Sequence, residues 1–305
     1  MNKKVIFIAG PTAVGKTEVA VYLAKKANAE IISCDSMQIY KGMDIITSKP
    51  SGVLRKKVNH HLIGVVPPTS EYNVSKYRQD AVEKIQEVFT RGRFPIFVGG
   101  SGLYMSILID GIFNLEQKSR SMRKRLYKLA GLYGNQYLYK RLHNIDPQAA
   151  LRIHPNDTKR LIRALEVFKS TGKPISFLQK QRIGLNQEYD VKVFCLNMPR
   201  EKLYKIIDER VDKMFANGLV GEVKRLLKLK LSKTASCAIG IKEIKGYLSG
   251  LYDLSEAMRL MKQNTRNYAK RQLTWFRKDK RIRWINIDDA EKPQEIVKRL
   301  WKELF

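Results

Sequence analysis

Gly10-Pro11-Thr12-Ala13-Val14-Gly15-Lys16-Thr17 fits the spacing G-x-x-x-x-G-K-[ST] at every position. In a loop of this kind successive backbone N–H groups turn inward and cradle a phosphate. Lys16 would neutralise the terminal phosphate, and the Thr17 hydroxyl would reach a Mg²⁺ ion. A structural glycine turn is the plainer alternative. The setting argues against it, because the apolar run Val5–Ala9 precedes the loop and the helix-like stretch Thr17–Ala27 follows. The loop alone does not name its ligand, and most such loops take ATP or GTP.

Three further places carry side chains suited to the same site. Asp35 closes the apolar run Glu30–Ser33, and a carboxylate at the C-terminal edge of a parallel strand lies over the crevice where ligands bind. It would hold Mg²⁺, act as a general base or simply cap a turn. Gly99-Gly100-Ser101-Gly102 follows the apolar run Pro95–Val98, and its glycines let backbone approach a ligand closely. Arg210 lies among Asp208, Glu209 and Asp212, so local pattern favours a surface ion pair over a phosphate contact.

A second chemistry shows in the charge. Lys and Arg number 58 against 29 Asp and Glu, a net of +29. The excess is concentrated: residues 118–182 carry 16 basic and 3 acidic side chains, and residues 223–283 carry 17 and 4. Two such blocks read as the footprint of a polyanion. In the helix-like stretch 266–277, Arg266, Lys270 and Arg277 share one face while Tyr268 and Trp275 point the other way. Arg160 and Arg163 belong to a second basic helix. The alternative for both is a solvated charged face. His60 and His61 read as a loop pair, and His143 and His154 as structural. Cys34, Cys195 and Cys237 have no metal or disulfide spacing, which fits a reducing cytoplasm.

The elements that must position these residues follow from the apolar runs. Val5–Ala9, Glu30–Ser33, Pro95–Val98 and Val191–Leu196 predict buried parallel strands separated by helices, with a last strand at 282–287. The expectation is an α/β protein: a P-loop NTPase-like parallel sheet core over 1–112 and 187–305, with a helical C-terminal region. Residues 113–186 read as a helical insertion with helices at 119–130, 135–142, 147–153 and 157–170. With 44% apolar residues the chain has material for a core. It shows no membrane-spanning run, and the five apolar residues Val5–Ala9 are too few for a signal peptide.

Together these motifs resemble those of one family, the bacterial tRNA dimethylallyltransferases, or tRNA isopentenyltransferases. The resemblance rests on residues 10–17, the stretch DSMQIYKGMDIITSKP at 35–50, His60-His61-Leu62-Ile63, and VGGSGLY at 98–104. It continues through DPQAALRIHPND at 146–157, KRLIRALEV at 159–167, Gly240-Ile241-Lys242-Glu243 and YAKRQLTWFR at 268–277. It implies transfer of a dimethylallyl group from dimethylallyl diphosphate to N6 of the adenosine 3′ of the anticodon, in tRNAs that read UNN codons. By resemblance, Asp35 is the general base, Ser101 sits beside the reaction channel and Arg210 contacts the diphosphate. Residues 10–17 bind the diphosphate or a nucleotide, with Mg²⁺ as cofactor on Thr17.

The same resemblance assigns tRNA contacts to Asp35, Ser36, Met37 and Gln38, to Ser101 and to Arg123. Lys159, Arg160, Leu161, Ile162 and Arg163 follow, then Cys237 and Lys242, and finally Lys270, Arg271, Gln272 and Arg277. It implies a cytoplasmic monomer acting on the anticodon stem-loop. Cys34, Ser101 and the stretch Cys237–Lys242 depart from the family's usual residues, which leaves the tRNA contacts at 237–242 open. A small-molecule kinase would share the loop without needing two basic blocks. An RNA-binding ATPase would need the charge but not Asp35.

Overall fold

The computed structural model describes residues 3–113, 120–288 and 290–304. The chain runs β1 (Lys4–Ala9), α1 (Lys16–Lys26), β2 (Ala29–Ser33), α2 (Gly52–Lys57), β3 (His60–His61), α3 (Val74–Thr90), β4 (Phe94–Gly99) and α4 (Gly102–Asp110). Next come α5 (Arg120–Ile145), α6 (Pro147–Arg152), α7 (Thr158–Thr171), α8 (Ile175–Lys180) and β5 (Asp190–Asn197). The last stretch holds α9 (Arg200–Ala216), α10 (Leu219–Leu226), α11 (Ile241–Leu248), α12 (Leu254–Phe276), β6 (Arg283–Asn286) and α13 (Pro293–Leu304).

The strands form one six-stranded sheet in the order β3-β2-β4-β1-β5-β6, and every pairing is parallel. Val5, Ile6, Phe7 and Ile8 are all buried, as a strand covered on both faces requires. From β1 the chain proceeds to β2 on one side of it, and from β4 it proceeds to β5 on the other. This places a topological switch point beside β1, where Ala9 pairs with Gly99 of β4. The loops that leave these strand ends are those at 10–15 and 100–101, with Asp35 after neighbouring β2.

The structure departs from expectation at the sheet edge. His60 and His61 are not a loop pair but strand β3, registered against Ile31 and Ile32. A buried carboxylate holds the second of them: Glu30 Oε2 lies 2.6 Å from His61 Nε2, and Arg91 and Arg93 donate to Glu30 at 2.8–3.0 Å. Two residues carry no readable period, so local pattern had nothing to report. Helix α4 also went unread, because its nine residues are almost uniformly apolar.

The chain separates into two compact units, residues 1–109 with 188–305, and residues 110–187. The second has its own core, including Leu126, Leu138, Leu142, Leu161 and Leu165. The expected start of its first helix at Ser119 lies outside the described residues. Helix α5 breaks at Gly134 (φ 74°, ψ 170°), where the two expected helices meet. Asp157 Oδ1 caps α7 by accepting from Arg160 N–H at 3.1 Å, and Gly172 ends it with φ 68°. Among the described residues no helix is long and apolar enough to cross a membrane.

Candidate active site

The 10–17 loop turns through left-handed backbone at Ala13 (φ 70°) and Gly15 (φ 85°). Gly15 is the N-cap of α1 and offers no side-chain cap, so the first N–H groups of that helix are left for an anion. Lys16 Nζ donates to the carbonyls of Gly10 at 3.0 Å and Pro11 at 2.6 Å. Burial, and next the neighbouring Arg210 charge, pull the Lys16 ammonium down to about 8.

Asp35 caps a turn, one of the uses read for it, and also faces the cavities. Its Oδ1 accepts from the N–H of Met37 at 2.8 Å and Gln38 at 3.3 Å, closing the turn after β2. Its Oδ2 accepts from no donor among the described residues, and Asp35 lines the cavities described below. Gln38 Nε2 donates to the carbonyls of Thr47 and Ser48, both at 3.3 Å. The loop carrying Thr47 and Ser48 is held from its other end by Glu222 of α10, whose carboxylate accepts from Asp44, Ile45 and Ile46 N–H at 2.9–3.0 Å.

Arg210 turns into this site instead of pairing on the surface. Two of its three acidic neighbours are taken by α12: Asp208 by Arg266 at 2.6 Å and Asp212 by Lys262 at 2.7 Å. Arg210 Nε donates to Ser48 Oγ at 2.9 Å and Nη1 to Thr12 Oγ1 at 3.4 Å. Burial lowers the Arg210 guanidinium from its ordinary value, and Asp35 opposes that.

These groups surround two cavities. A polar one of about 410 Å³ is lined by Lys16, Thr17, Gln38, Lys49 and Gly100 among others. A more apolar one of about 280 Å³ is lined by Ser36, Met37, Ile46, Val211, Met214, Cys237 and Met261. Thr12, Asp35, Thr47, Ser48, Arg210 and Tyr268 line both. Thr47, Ser48, Met214, Met261 and Glu222 are not singled out by the sequence. Thr47 and Ser48 lie inside the 35–50 motif, which is the readable signal for those two.

Helix α12 supplies a wall. Met261, Thr265 and Tyr268 recur at helical spacing along it and line the apolar cavity. On the opposite side the expected basic face needs correction, since Arg266 is bound to Asp208 and only Lys270 and Arg277 of that trio are exposed. Trp275 is 38% exposed and packs against Gly102, where a Cβ would come within 2.2 Å of its ring. Gln272 is only 5% exposed, and its amide is engaged inside the protein. Arg271 lines the apolar cavity, while Lys242 on α11 is exposed and outside it. Ser101 lines neither cavity, and its N–H donates to Cys34 O at 3.2 Å.

Within the second unit the expected contact stretch is mixed. Lys159 and Arg160 are exposed, but Leu161 and Ile162 are buried at 0% and 2%, so their side chains belong to that unit's core. Arg123 and Arg163 both donate to Glu166 Oε2, at 2.6 and 3.2 Å.

Comparison with known proteins fits this site. Residues 38–279 match the model of the IPP transferase family, and residues 3–59 match an isopentenyl transferase model. The chain belongs to the IPP transferase family. It is 46% identical over 309 residues to the tRNA dimethylallyltransferase of Thermoanaerobacter sp. (strain X514), covering 100% of this chain and 98% of that protein. The corresponding enzyme of Halothermothrix orenii is 45% identical, with 100% and 94% covered. Among solved structures of the family, the tRNA isopentenylpyrophosphate transferase of Bacillus halodurans superposes with a TM-score of 0.72 at 39% identity, covering 100% of this chain and 97% of that one. A eukaryotic dimethylallyltransferase described as acting on tRNA gives 0.83 at 30% identity, covering 98% and 77%.

Proposed function

We propose that the protein transfers the dimethylallyl group of dimethylallyl diphosphate to N6 of the adenosine 3′-adjacent to the anticodon in tRNAs reading UNN codons. The products are N6-(dimethylallyl)adenosine and diphosphate. The observation that carries this reading is the shared lining of the two cavities. A polar chamber with Lys16 and Arg210 opens, at Asp35, on an apolar chamber bounded by Ile46, Val211, Met214 and Met261. A diphosphate suits the first and a five-carbon allyl chain the second.

The chemistry follows from that division. The allylic C1–O bond breaks and its electron pair leaves on the diphosphate. Lys16, Arg210 and the loop N–H groups stabilise the growing negative charge. The N6 lone pair forms the new bond to C1, and Asp35 accepts the N6 proton through the oxygen free of the turn. The acceptor base must leave its stack to reach this channel, at roughly a few kcal/mol, which contacts to the anticodon loop offset. The Thr17 hydroxyl in the polar cavity suits Mg²⁺, which takes few protein oxygens beside substrate phosphates and supplies charge neutralisation when bound. The exposed Lys270, Arg277, Lys242 and Lys159 are the side chains we assign to RNA phosphates, and Ser36, Met37 and Cys237 to the acceptor end of the channel. The protein works on this scheme as a cytoplasmic monomer.

The test is incubation of the protein with dimethylallyl diphosphate, Mg²⁺ and an anticodon stem-loop RNA, read by mass spectrometry of the nucleosides. A prenylated adenosine at the position 3′ of the anticodon supports the reading. Phosphoryl transfer from ATP without prenylation would favour a kinase instead.

A further inference from the structure

Gln272 is buried on α12, while Lys270 and Arg271 beside it are open to solvent. Both ends of its side-chain amide are engaged. Oε1 accepts from the N–H of Thr12 at 2.9 Å, and Nε2 donates to the carbonyl of Gly100 at 3.0 Å. Thr12 belongs to the phosphate loop, and its hydroxyl accepts from Arg210. Gly100 directly follows β4. A Cβ at position 100 would lie 1.9 Å from Gln272 Nε2 and 3.3 Å from Gly10 O, so any side chain there would push the Gln272 amide out of place.

The phosphate loop, the turn after β4 and the helix that bears exposed cations are thus keyed together by one amide. The chemistry of that key is narrow. A neutral group must accept on one side and donate on the other, which a primary amide does. Glutamate lacks the donor, lysine lacks the acceptor and methionine has neither. Without the amide, the half-buried Thr12 N–H and the buried Gly100 O lose this partner and must find new ones by moving.

We propose that Gln272 is a positioning residue for the donor site. It holds the Thr12 end of the phosphate loop against the Gly100 turn, so that the loop presents its N–H groups and the Thr12 hydroxyl to a diphosphate in a single geometry. It borders the polar cavity, but its amide oxygen and nitrogen are turned to Thr12 and Gly100, so it acts through the loop, and this role stands in place of the direct RNA contact expected for it. The identity of the diphosphate donor rests on the prenyl-transfer reading; the positioning role does not need it.

The test separates the two. Gln272→Met keeps length and bulk and removes both hydrogen bonds. Titration of the free protein with inorganic pyrophosphate and Mg²⁺, without RNA, should show binding weakened roughly five- to thirtyfold, as expected for losing two neutral hydrogen bonds. KM for dimethylallyl diphosphate should rise in parallel. The value of kcat and the affinity for an anticodon stem-loop should stay within about twofold, a split that general loosening of the fold would not give. Gln272→Asn, one methylene short, should give a smaller loss and decides the matter by the same readings should the Met variant not fold. Pyrophosphate affinity within twofold of wild type, or RNA affinity lost while pyrophosphate affinity holds, overturns the proposal. Absence of prenyl transfer by the wild type would overturn the proposed function and leave the pyrophosphate comparison standing.

Discussion

Asp35 holds a turn with one carboxylate oxygen, and its other oxygen is the one the proposed reaction uses as proton acceptor. Asp35→Asn preserves the turn, since an amide oxygen also accepts, and removes the proton acceptor. Turnover should fall ~10²–10⁴-fold, the usual worth of a general base, with RNA affinity nearly unchanged. A variant within a few-fold of wild type in single-turnover assays would end the assignment. Lys16 makes a pH prediction. Its folded value, about 8, lies below the ordinary 10.5, because burial and Arg210 disfavour the charge. The unfolded chain therefore binds more protons between pH 8 and 10.5, and stability gains from Lys16 as pH rises through that window. At pH 7 the charged side chain destabilises the fold, so Lys16→Met should raise Tm. Pyrophosphate needs the same charge, so its affinity for wild type should fall up to tenfold per pH unit above about 8, one proton being linked. Lys16→Met should bind it weakly at every pH. A flat wild-type profile from pH 7 to 10 would contradict the lowered value.

Elements place these side chains through contacts that a local pattern does not carry. The β1–loop–α1 unit was legible because an apolar run, fixed glycines and a helix start are all local signals. Arg210 was not, because its three acidic neighbours look like partners until α12 is seen to take Asp208 and Asp212. The face of α12 was half legible: helical period separated Lys270 from Tyr268, but it did not show that Arg266 meets an acid or that Gln272 points into the loop. Glu222 was invisible for the same reason, being one acid in an ordinary amphipathic helix. It is 4% exposed and receives three N–H groups of the loop before Thr47 and Ser48. Glu222→Gln turns one acceptor oxygen into an NH₂ that faces a backbone N–H. The variant should lose about 1–3 kcal/mol in urea unfolding. Through Ser48 and Arg210 it should also raise KM for the donor more than that for RNA. Unchanged stability would mean that the loop re-forms without the carboxylate.

At the scale of the whole molecule the formal +29 overstates the charge on offer to a polyanion. Arg266 is bound to Asp208, and Arg123 and Arg163 share Glu166, whose side chain is 1% exposed. Lys270 and Arg277 are exposed and form no ion pair among the described residues, so they are the better candidates for phosphate contacts. Each phosphate contact contributes ~0.7–0.9 to the slope of log affinity against log salt. Replacing Lys270 and Arg277 together with Ala should flatten the slope for anticodon stem-loop binding by about 1.5 and raise the RNA KM, while pyrophosphate affinity holds. Arg266→Ala should behave differently, lowering thermal stability slightly through the lost partner of Asp208 and leaving the salt slope nearly intact. Equal slopes for the double variant and wild type would make this face a merely solvated one. A larger slope change from Arg266→Ala than from the pair would show that the Asp208 bond opens to release that arginine to RNA.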